Sequence, residues 1–395
     1  MPSTRAVFVS ANFPSSHESA IASYDLNQLL AMHARGGRFE VLAARPRFPF
    51  VRSPFAQGRD EDGTPVQGMR VFFPWVLYLP RSQSALNARL YAASISGPLR
   101  RRCAAFGPRF LWSSFVFPDG VAVGRLARRL RLPHVVTVVG SDLNWNLHRP
   151  ARVAAIRRCA GEAVLVLAKS RALRDVLVAQ GVDAAKIVVD YNGVDTRTFR
   201  PRPRAEACAQ LGESPDPRRI LFVGSLLPVK NVSVLLRAFA RLCQRWSGPL
   251  ELALVGEGFL RATLAEEAAR LRVTERVRFL GARAHAEIAL WLGASDLLCL
   301  PSLAEGVPNV VLEALSAGRP VVASAVGGIP EVHPGAMAGA LVPSDDEQAL
   351  AQALEQTLST PFDAERLAAS MAVHTWDANA AQVFDCLTRL GLASP

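Results

Sequence analysis

Short apolar runs alternate along the chain with stretches in which apolar positions recur every three or four residues. In the first half, the apolar runs 6–10, 39–43, 135–139 and 163–167 predict buried strands, and the periodic stretches 24–35 and 84–103 predict helices. Gly36 and Gly37 follow the first of these helices and are expected to end it. Residues 45–80 are rich in Pro, Arg and aromatic side chains and predict a long structured loop with short strands. This alternation is typical of α/β layers on parallel sheets.

A second series of strands and helices follows a segment punctuated by prolines. Residues 200–204 read Arg-Pro-Arg-Pro-Arg, a stiff and charged composition that is typical of linkers. Beyond it, strands are predicted at 220–223, 250–255, 277–280, 297–300 and 320–323. We therefore predict two doubly wound domains and a cleft between them, where ligands meet the carboxyl ends of the strands.

Length and composition agree with this division. A single core rarely exceeds about 250–300 residues, and the chain has 395. Half of the residues are hydrophobic and 20% are charged, which excludes a disordered chain. The six cysteines are scattered without zinc-site spacing, so we expect reduced thiols in a cytoplasmic protein. The run 6–9 is too short for a signal-peptide core, and no run of about 18 apolar residues predicts a membrane-spanning helix.

Charge is distributed unevenly between the two halves. Residues 1–197 carry 27 basic and 13 acidic side chains, whereas residues 198–395 carry 18 and 21. A basic half predicts an anionic partner, either a membrane surface or a nucleic acid. Arginines accompany apolar residues in 84–103 and 124–131, which favours peripheral binding to an anionic membrane face; a core-facing helix with a solvated basic face is the alternative. No nucleic acid is expected, because the chain lacks a recognised binding motif and interleaved aromatic residues.

Lys230 lies in the first candidate site. A predicted strand ends at Gly224, and a short loop through Ser225 leads to a helix that begins near Asn231. A lysine at this place can reach a phosphate at the helix N-terminus, and the chain has only three lysines beside 42 arginines. A solvated loop lysine is the plain alternative.

The segment 305–313, Glu-Gly-Val-Pro-Asn-Val-Val-Leu-Glu, predicts an anion site after the strand at 297–300. Pro308 suits the first turn of a helix. The backbone amides of Asn309 and Val310 are then expected to face an anion, because first-turn amides have no partner within the helix.

The two glutamates that bracket this segment predict contacts to a sugar. Glu305 lies in the loop, and Glu313 lies about one turn inside the helix. Carboxylates accept strong hydrogen bonds from hydroxyls, so the pair suits a sugar and a ribose. Taken singly, each could be an ordinary loop or helix-surface charge.

Two glycine turns follow strands of the second half. Gly256 and Gly258 lack the third glycine of a dinucleotide fingerprint, and Gly327 and Gly328 form the other turn. Both turns could allow close approach of a nucleotide to the backbone, or could be plain strand–helix turns. In the first half, Asp142 follows a strand and could orient a sugar, act on an acceptor hydroxyl, or cap a helix.

Together these motifs resemble the retaining nucleotide-sugar glycosyltransferases of family 4, which have the GT-B fold. The resemblance spans about residues 190–335 in the family's order and includes Asn-Gly-Val-Asp at 192–195 and Ala-Gly-Arg-Pro at 317–320. It implies two Rossmann-like domains that face a central cleft, with residues 1–197 binding the acceptor and 198–370 binding the donor. It also implies a final helix within 371–395 that packs back on the first domain.

The resemblance implies a role for each matching residue. Lys230 would hold the donor diphosphate, Glu305 would contact the transferred sugar, Glu313 the ribose, and Asp142 the acceptor side. Lys230, Glu305 and Asp142 are accordingly the expected catalytic residues. The expected donor-binding residues are Gly224, Ser225, Lys230, Gly256, Gly258, Glu305, Gly306, Val307, Pro308, Asn309, Val310 and Glu313. No metal or cofactor is expected, because Lys230 and the helix terminus neutralise the phosphate charge.

The expected activity is transfer of a hexosyl unit from a UDP- or GDP-linked sugar to a hydroxyl of a lipid-linked or oligosaccharide acceptor. We expect the transfer to retain the configuration at the anomeric carbon. The expected role is in bacterial cell-surface polysaccharide synthesis, of the exopolysaccharide, capsule or teichuronic-acid type. The expected location is the inner face of the cytoplasmic membrane. Two alternatives remain open. One is a non-catalytic nucleotide-sugar-binding subunit of a glycan-assembly complex, and the other is a soluble-acceptor disaccharide or glucan synthase of the same fold.

Three departures from the family pattern motivate the non-catalytic alternative. The family usually has Arg in place of Ser225 and commonly His in place of Val139. Its glycine-rich first loop corresponds here to residues 15–20, which contain no glycine. His17 and His134 are candidate substitutes for the missing histidine, beside plain loop or strand-end roles.

Overall fold

The computed structural model describes residues 4–14, 23–47, 64–79 and 84–393. The chain divides into two compact units. The first comprises Met1–Asn192 and Trp376–Pro395, and the second comprises Gly193–Thr375. The boundaries predicted from the sequence, after residues 197 and 370, stay predictions. Among the described residues, no helix combines the length and the apolar character needed to cross a bilayer.

The first unit is built on a largely parallel sheet. Its strands are β1 (Arg5–Val9), β2 (Arg38–Leu42), β3 (Arg45–Arg47), β4 (Thr64–Val66), β5 (Met69–Phe72), β6 (Trp75–Leu77), β7 (Phe110–Ser114), β8 (His134–Val138), β9 (Leu165–Ala168) and β10 (Ile187–Val189). Within the described ranges, eight of them form one sheet in the order β10-β9-β8-β7-β1-β2-β5-β4, in which β4 runs antiparallel to β5. β3 and β6 pair separately.

Helices cover both faces of this sheet. They are α1 (Ser23–Ala34), α2 (Leu86–Phe106), α3 (Val121–Leu130), α4 (Ser141–Asn144), α5 (Pro150–Glu162) and α6 (Arg171–Ala179). Successive side chains of a strand point to opposite faces, and β1 shows the result. Ala6 and Phe8 belong to one apolar cluster, whereas Val7 and Val9 belong to another. The near-continuous apolar strands of the sequence are therefore buried on both sides, as parallel sheets require.

β7 is a central strand that the apolar pattern did not predict. It lies between β1 and β8, but its apolar run is only Phe-Leu-Trp, and two serines complete it. Both serines are buried, and their hydroxyl groups have partners: Ser114 Oγ donates to Asp25 Oδ1 (2.9 Å), and Ser113 Oγ lies 2.9 Å from His134 Nε2. Satisfied polar side chains can lie inside a sheet, so hydrophobicity alone does not reveal this strand.

The second unit is described at every residue and has a six-stranded parallel sheet. Its strands are β11 (Arg218–Val223), β12 (Leu250–Val255), β13 (Val277–Gly281), β14 (Leu297–Leu300), β15 (Val321–Ser324) and β16 (Gly339–Val342), in the order β13-β12-β11-β14-β15-β16. Its helices are α7 (Arg204–Leu211), α8 (Val232–Arg245), α9 (Arg261–Arg270), α10 (His285–Gly293), α11 (Asn309–Ser316), α12 (Ile329–Val332), α13 (Glu347–Ser359) and α14 (Ala364–Ser370). The order reverses between β11 and β14, and such a reversal is where parallel sheets bind ligands.

The final helix, α15 (Trp376–Arg389), packs against α1 and so belongs to the first unit. Val383 and Leu387 share an apolar cluster with Leu29 of α1. Beside them, Gln28 Nε2 donates to Asn379 Oδ1 (2.9 Å). The predicted return of the last helix to the first domain is confirmed.

Candidate functional site

The loops after β11 and β12 lie against each other at the carboxyl ends of these strands. A Cβ atom on Gly256, whose φ is +135°, would lie 1.9 Å from the carbonyl oxygen of Gly224. A Cβ on Gly258 would lie 2.3 Å from the carbonyl oxygen of Leu226, and the Leu226 amide donates to Glu257 O (2.9 Å). Both predicted glycines are therefore required for the two loops to stack.

The loops after β14 and β15 make a similar contact. Gly327 has φ +56°, and a Cβ atom there would lie 2.0 Å from the carbonyl oxygen of Glu305. The Gly328 amide donates to Gly306 O (2.7 Å). The glycine pair thus holds the backbone that carries Glu305.

Lys230 and Glu305 contact each other across two of these loops. Lys230 ends a single 3₁₀ turn before α8, and its Nζ lies 2.5 Å from Glu305 Oε1. Ser302 Oγ donates to the same carboxylate oxygen (2.6 Å). The Leu303 amide donates to Val229 O (2.8 Å), which joins the two loops through the backbone. Both charged side chains are mostly buried, so the ion pair lies at the sheet edge and is largely shielded from solvent.

The N-terminus of α11 lies immediately after this pair in the chain. Pro308, with φ −73° and ψ +126°, is the capping residue, so the helix begins at Asn309 and Pro308 lies one position before the first turn that the sequence predicted. No side chain of the described residues caps this end. Val307 and Pro308 are buried, which fixes the helix start against the sheet. Such an end concentrates amide donors and positive dipole potential, and is suited to an anion.

Glu313 lies one turn inside α11 and contacts a histidine that sequence reasoning missed. Its Oε1 lies 2.8 Å from Nε2 of His285, at the start of α10. The hydrogen bond and the charge of Glu313 raise the pKa of His285 above its usual value. The Phe199 ring packs edge-on against the imidazole, with centroids 4.8 Å apart. His285 follows β13 in the chain, and none of the motifs identified in the sequence includes it.

Asp142, in the first turn of α4, is engaged by the backbone. Its Oδ1 accepts from the amides of Val139 (3.1 Å) and Gly140 (2.8 Å), and its Oδ2 accepts from the amide of Val116 (2.5 Å). Burial raises the pKa of Asp142, and the backbone donors oppose that effect. These contacts fix the loop after β8; whether Asp142 also contacts an acceptor stays a prediction.

A cavity of about 530 Å³ opens beside Asp142 within the first unit. Its described lining includes Asp119, Asp142, Arg149 and Arg152, and the aromatic side chains Tyr78, Tyr91, Phe115, Phe117 and Trp145. Burial raises the pKa of Asp119 to about 7. The volume falls in the range of small-molecule sites, which is about 300–1,000 Å³.

The two histidines considered from sequence have different outcomes. His134 begins β8, at the opposite end of that strand from Gly140, and is buried. Burial lowers its pKa to about 3, so the ring is neutral at physiological pH and bonds Ser113. This is the strand-end role. His17 and the loop 15–20 lie outside the described residues.

Two family models match consecutive parts of the chain. Residues 19–193 match the "Glycosyl transferase 4-like domain", and residues 217–360 match "Glycosyl transferases group 1". The two matches together cover most of the chain. The chain therefore belongs to the group 1, GT4-like glycosyltransferases.

Curated relatives match over a limited stretch. The D-inositol 3-phosphate glycosyltransferase of Mycobacterium tuberculosis is 37% identical over 190 residues, and the protein of the same name from Mycobacterium bovis is equally similar. The match covers 47% of this chain and 38% of the relative. It thus spans well under half the length of these curated relatives.

Solved structures of similar fold cover nearly the whole chain. A sucrose-phosphate synthase from Thermosynechococcus elongatus has a TM-score of 0.76 at 20% identity, over 98% of this chain and 99% of that chain. The Anabaena protein HepE in complex with UDP has a TM-score of 0.75 at 20% identity, over 98% and 100%. The lipopolysaccharide outer core galactosyltransferase WaaB has a TM-score of 0.69 at 17% identity, over 98% of this chain and 99% of that chain. These likenesses show the fold, and the predicted GT-B class is confirmed.

Proposed function

We propose that this protein is a retaining glycosyltransferase that moves a hexosyl unit from a nucleotide diphosphate sugar to an acceptor hydroxyl. The observation that carries the proposal is the contact of Lys230 with Glu305 beside the N-terminus of α11. A cation and a helix end suit a diphosphate, and nearby carboxylates suit sugar hydroxyls. HepE, of similar fold, has been solved with UDP and with UDP-glucose, which supports a donor of this kind.

In the proposed reaction, Lys230 and the first amides of α11 bind the diphosphate. The bond between the anomeric carbon and the phosphate oxygen breaks, and the acceptor hydroxyl bonds to the same face of the sugar. The hydroxyl proton passes to the departing diphosphate. Stabilisation of the charge that develops on that diphosphate is the main catalytic effect, and Glu305 and Glu313 position the sugar and the ribose.

Nucleotide binding tests the donor site directly. We expect one of UDP, GDP, ADP, TDP and CMP to raise the melting temperature of the wild type. Lys230→Ala should weaken that binding roughly 10- to 100-fold, because a hydrogen bond to a charged group contributes about 1.5–3 kcal/mol. Arg270→Ala, an exposed cation on α9, is the matched control and should bind like the wild type. Equal binding by both variants, or no nucleotide binding at all, would refute the donor site.

Turnover separates the transferase from the non-catalytic alternative. We expect slow release of sugar from the bound donor without acceptor, and a decrease of about 100-fold in Glu305→Gln with nucleotide affinity largely retained. The exposed Glu275→Gln should keep the wild-type rate. Tight nucleotide binding with no release or transfer in the wild type would favour a binding subunit.

We further propose that the acceptor is met at the inner face of the cytoplasmic membrane, in cell-surface polysaccharide synthesis. A basic groove supports the membrane part of this proposal. α2 and α3 contribute Arg89, Arg100, Arg125 and Arg129 to a groove of about 330 Å³, and none of the described residues that line it is acidic. Anionic lipid headgroups complement such a surface.

A further inference from the structure

The cavity beside Asp142 is lined by aromatic rings, by carboxylates and by guanidinium groups. Aromatic rings form much of its wall, and Trp145 is 64% exposed. Aromatic faces are well suited to pack against the apolar face of a sugar ring while its hydroxyls remain available at the edge. Because aromatic packing suits many sugars, the charged groups of this cavity determine which ring substituents it selects.

Asp119 supplies one hydrogen-bond acceptor to the cavity. It is 1% exposed, and its Oδ1 accepts from the Ala11 amide (2.7 Å) and from the Tyr91 hydroxyl (2.7 Å). Both of these hydrogen bonds are made to Oδ1 and neither to Oδ2. A carboxylate oxygen that lines a cavity in this way is suited to a ligand hydroxyl.

Arg149 and Arg152 supply positive charge to the same cavity. Arg152 is 8% exposed, its guanidinium donates to Asn146 Oδ1 (2.7 Å), and it lies over the Phe117 ring at 4.8 Å. Burial and the charge of Arg149 lower the pKa of Arg152. The two guanidinium groups therefore repel each other, and a bound anion would relieve that repulsion.

We infer that this cavity takes an acceptor sugar that carries an anionic substituent, a phosphate or a carboxylate. The anion lies against Arg149 and Arg152, a ring hydroxyl donates to Asp119, and the aromatic side chains contact the ring. This inference rests on the proposed function, because it assigns the acceptor of that transfer. Guanidinium groups recognise phosphate and carboxylate alike, so the structure defines the charge and not its source.

Matched pairs of sugars test the inference without a donor. Binding of hexose 6-phosphates and hexuronates to the full chain is measured by calorimetry beside the corresponding neutral hexoses. We expect a charged probe to bind at least about tenfold more tightly than its neutral counterpart. A preference for the phosphorylated or for the carboxylated member then identifies the anion. Equal binding within every pair, or no binding of any charged probe, overturns the inference.

Variants locate the effect. Arg149→Gln should remove most of the preference for charged probes. Arg157→Gln, which changes an exposed arginine on the helix that follows Arg149, should retain it. Asp119→Asn should weaken charged and neutral sugars alike, because it acts on a hydroxyl that both share. Lys230→Ala should leave the preference unchanged, which excludes phosphate binding at the donor site. Retained preference in Arg149→Gln overturns the inference, and it does so even where nucleotide binding and turnover uphold the proposed function.

Discussion

At the scale of single residues, the candidate donor site is built from contacts between loops. The sequence predicted Lys230, Glu305 and Glu313, because each lies in a motif at the end of a strand. It did not predict Ser302 or His285, which become partners of these groups only when separate loops meet. Nor could it predict the raised pKa of Asp119, since that shift comes from burial, which one residue's neighbours in sequence do not determine.

Gly256→Ala should damage the donor site and destabilise the second unit. The added Cβ would lie 1.9 Å from Gly224 O at φ +135°, so the loops after β11 and β12 must separate. We expect a cost of more than about 3 kcal/mol in the free energy of unfolding, together with weaker nucleotide binding. Gly212 also has a positive φ, +68°, but a Cβ atom there would meet open space. Gly212→Ala should therefore lower the free energy of unfolding by only about 1–2 kcal/mol and leave nucleotide binding intact. Similar melting temperatures for the two variants would contradict this reading.

Asp119→Asn should change how stability depends on pH. The folded-state pKa of Asp119 is raised from 3.8 to about 7, so the folded protein holds the proton more tightly than the unfolded chain. The corresponding stabilisation is complete below about pH 4 and is lost as the pH rises through about 7. The melting temperature of Asp119→Asn relative to wild type should therefore increase from pH 5 to pH 8. Asp175→Asn, at an exposed position, should show a constant difference, and a constant difference in Asp119→Asn too would count against the buried carboxyl.

At the scale of elements, continuous apolar runs predicted most strands, and periodicity predicted α1 and α2. β7 was missed because Ser113 and Ser114 interrupt its apolar run, although both are buried and bonded. β16 was missed as well; it begins at Gly339, which must approach the backbone of Val321 closely. The misses of β7 and β16 have the same cause: the partner that makes a polar or glycine residue acceptable lies on another element.

Leu387→Ala on α15 should destabilise the first unit. Leu387 is fully buried in the cluster that includes Leu29 of α1, and truncating a buried leucine costs about 2–5 kcal/mol. Leu390, just beyond the helix, is 45% exposed, so Leu390→Ala should change the free energy of unfolding by less than about 0.5 kcal/mol. Denaturant unfolding of the two variants compares these costs directly. Equal stability would show that α15 contributes little to the first unit.

At the scale of the whole molecule, part of the basic charge of the first half is concentrated in the groove between α2 and α3. The sequence predicted a basic half and its arginine-bearing helices. It could not predict that four of the arginines line one groove, because that depends on how the helices pack. The excess positive charge of the first half therefore includes a localised basic surface at this groove.

Vesicle binding tests that surface. Replacing Arg100 and Arg129 together by Gln should weaken binding to phosphatidylserine-rich vesicles by about 20- to 30-fold, because each arginine near such a surface contributes about 1 kcal/mol. Binding should also fall at high salt. The control replaces the exposed Arg38 and Arg157 of the same unit, with the same change in net charge, and should have little effect. Equal losses in the two double variants would indicate nonspecific attraction.

The return of α15 to α1 has a consequence for synthesis. Residues 376–389 leave the ribosome only after the whole second unit, so the nascent first unit carries an uncovered Leu29 surface while more than a hundred further residues are made. The second unit, continuous in sequence from Gly193 to Thr375, has no such delay. The order of completion therefore runs opposite to the order of translation: the later-made unit can finish folding first, and the earlier one waits for the last helix.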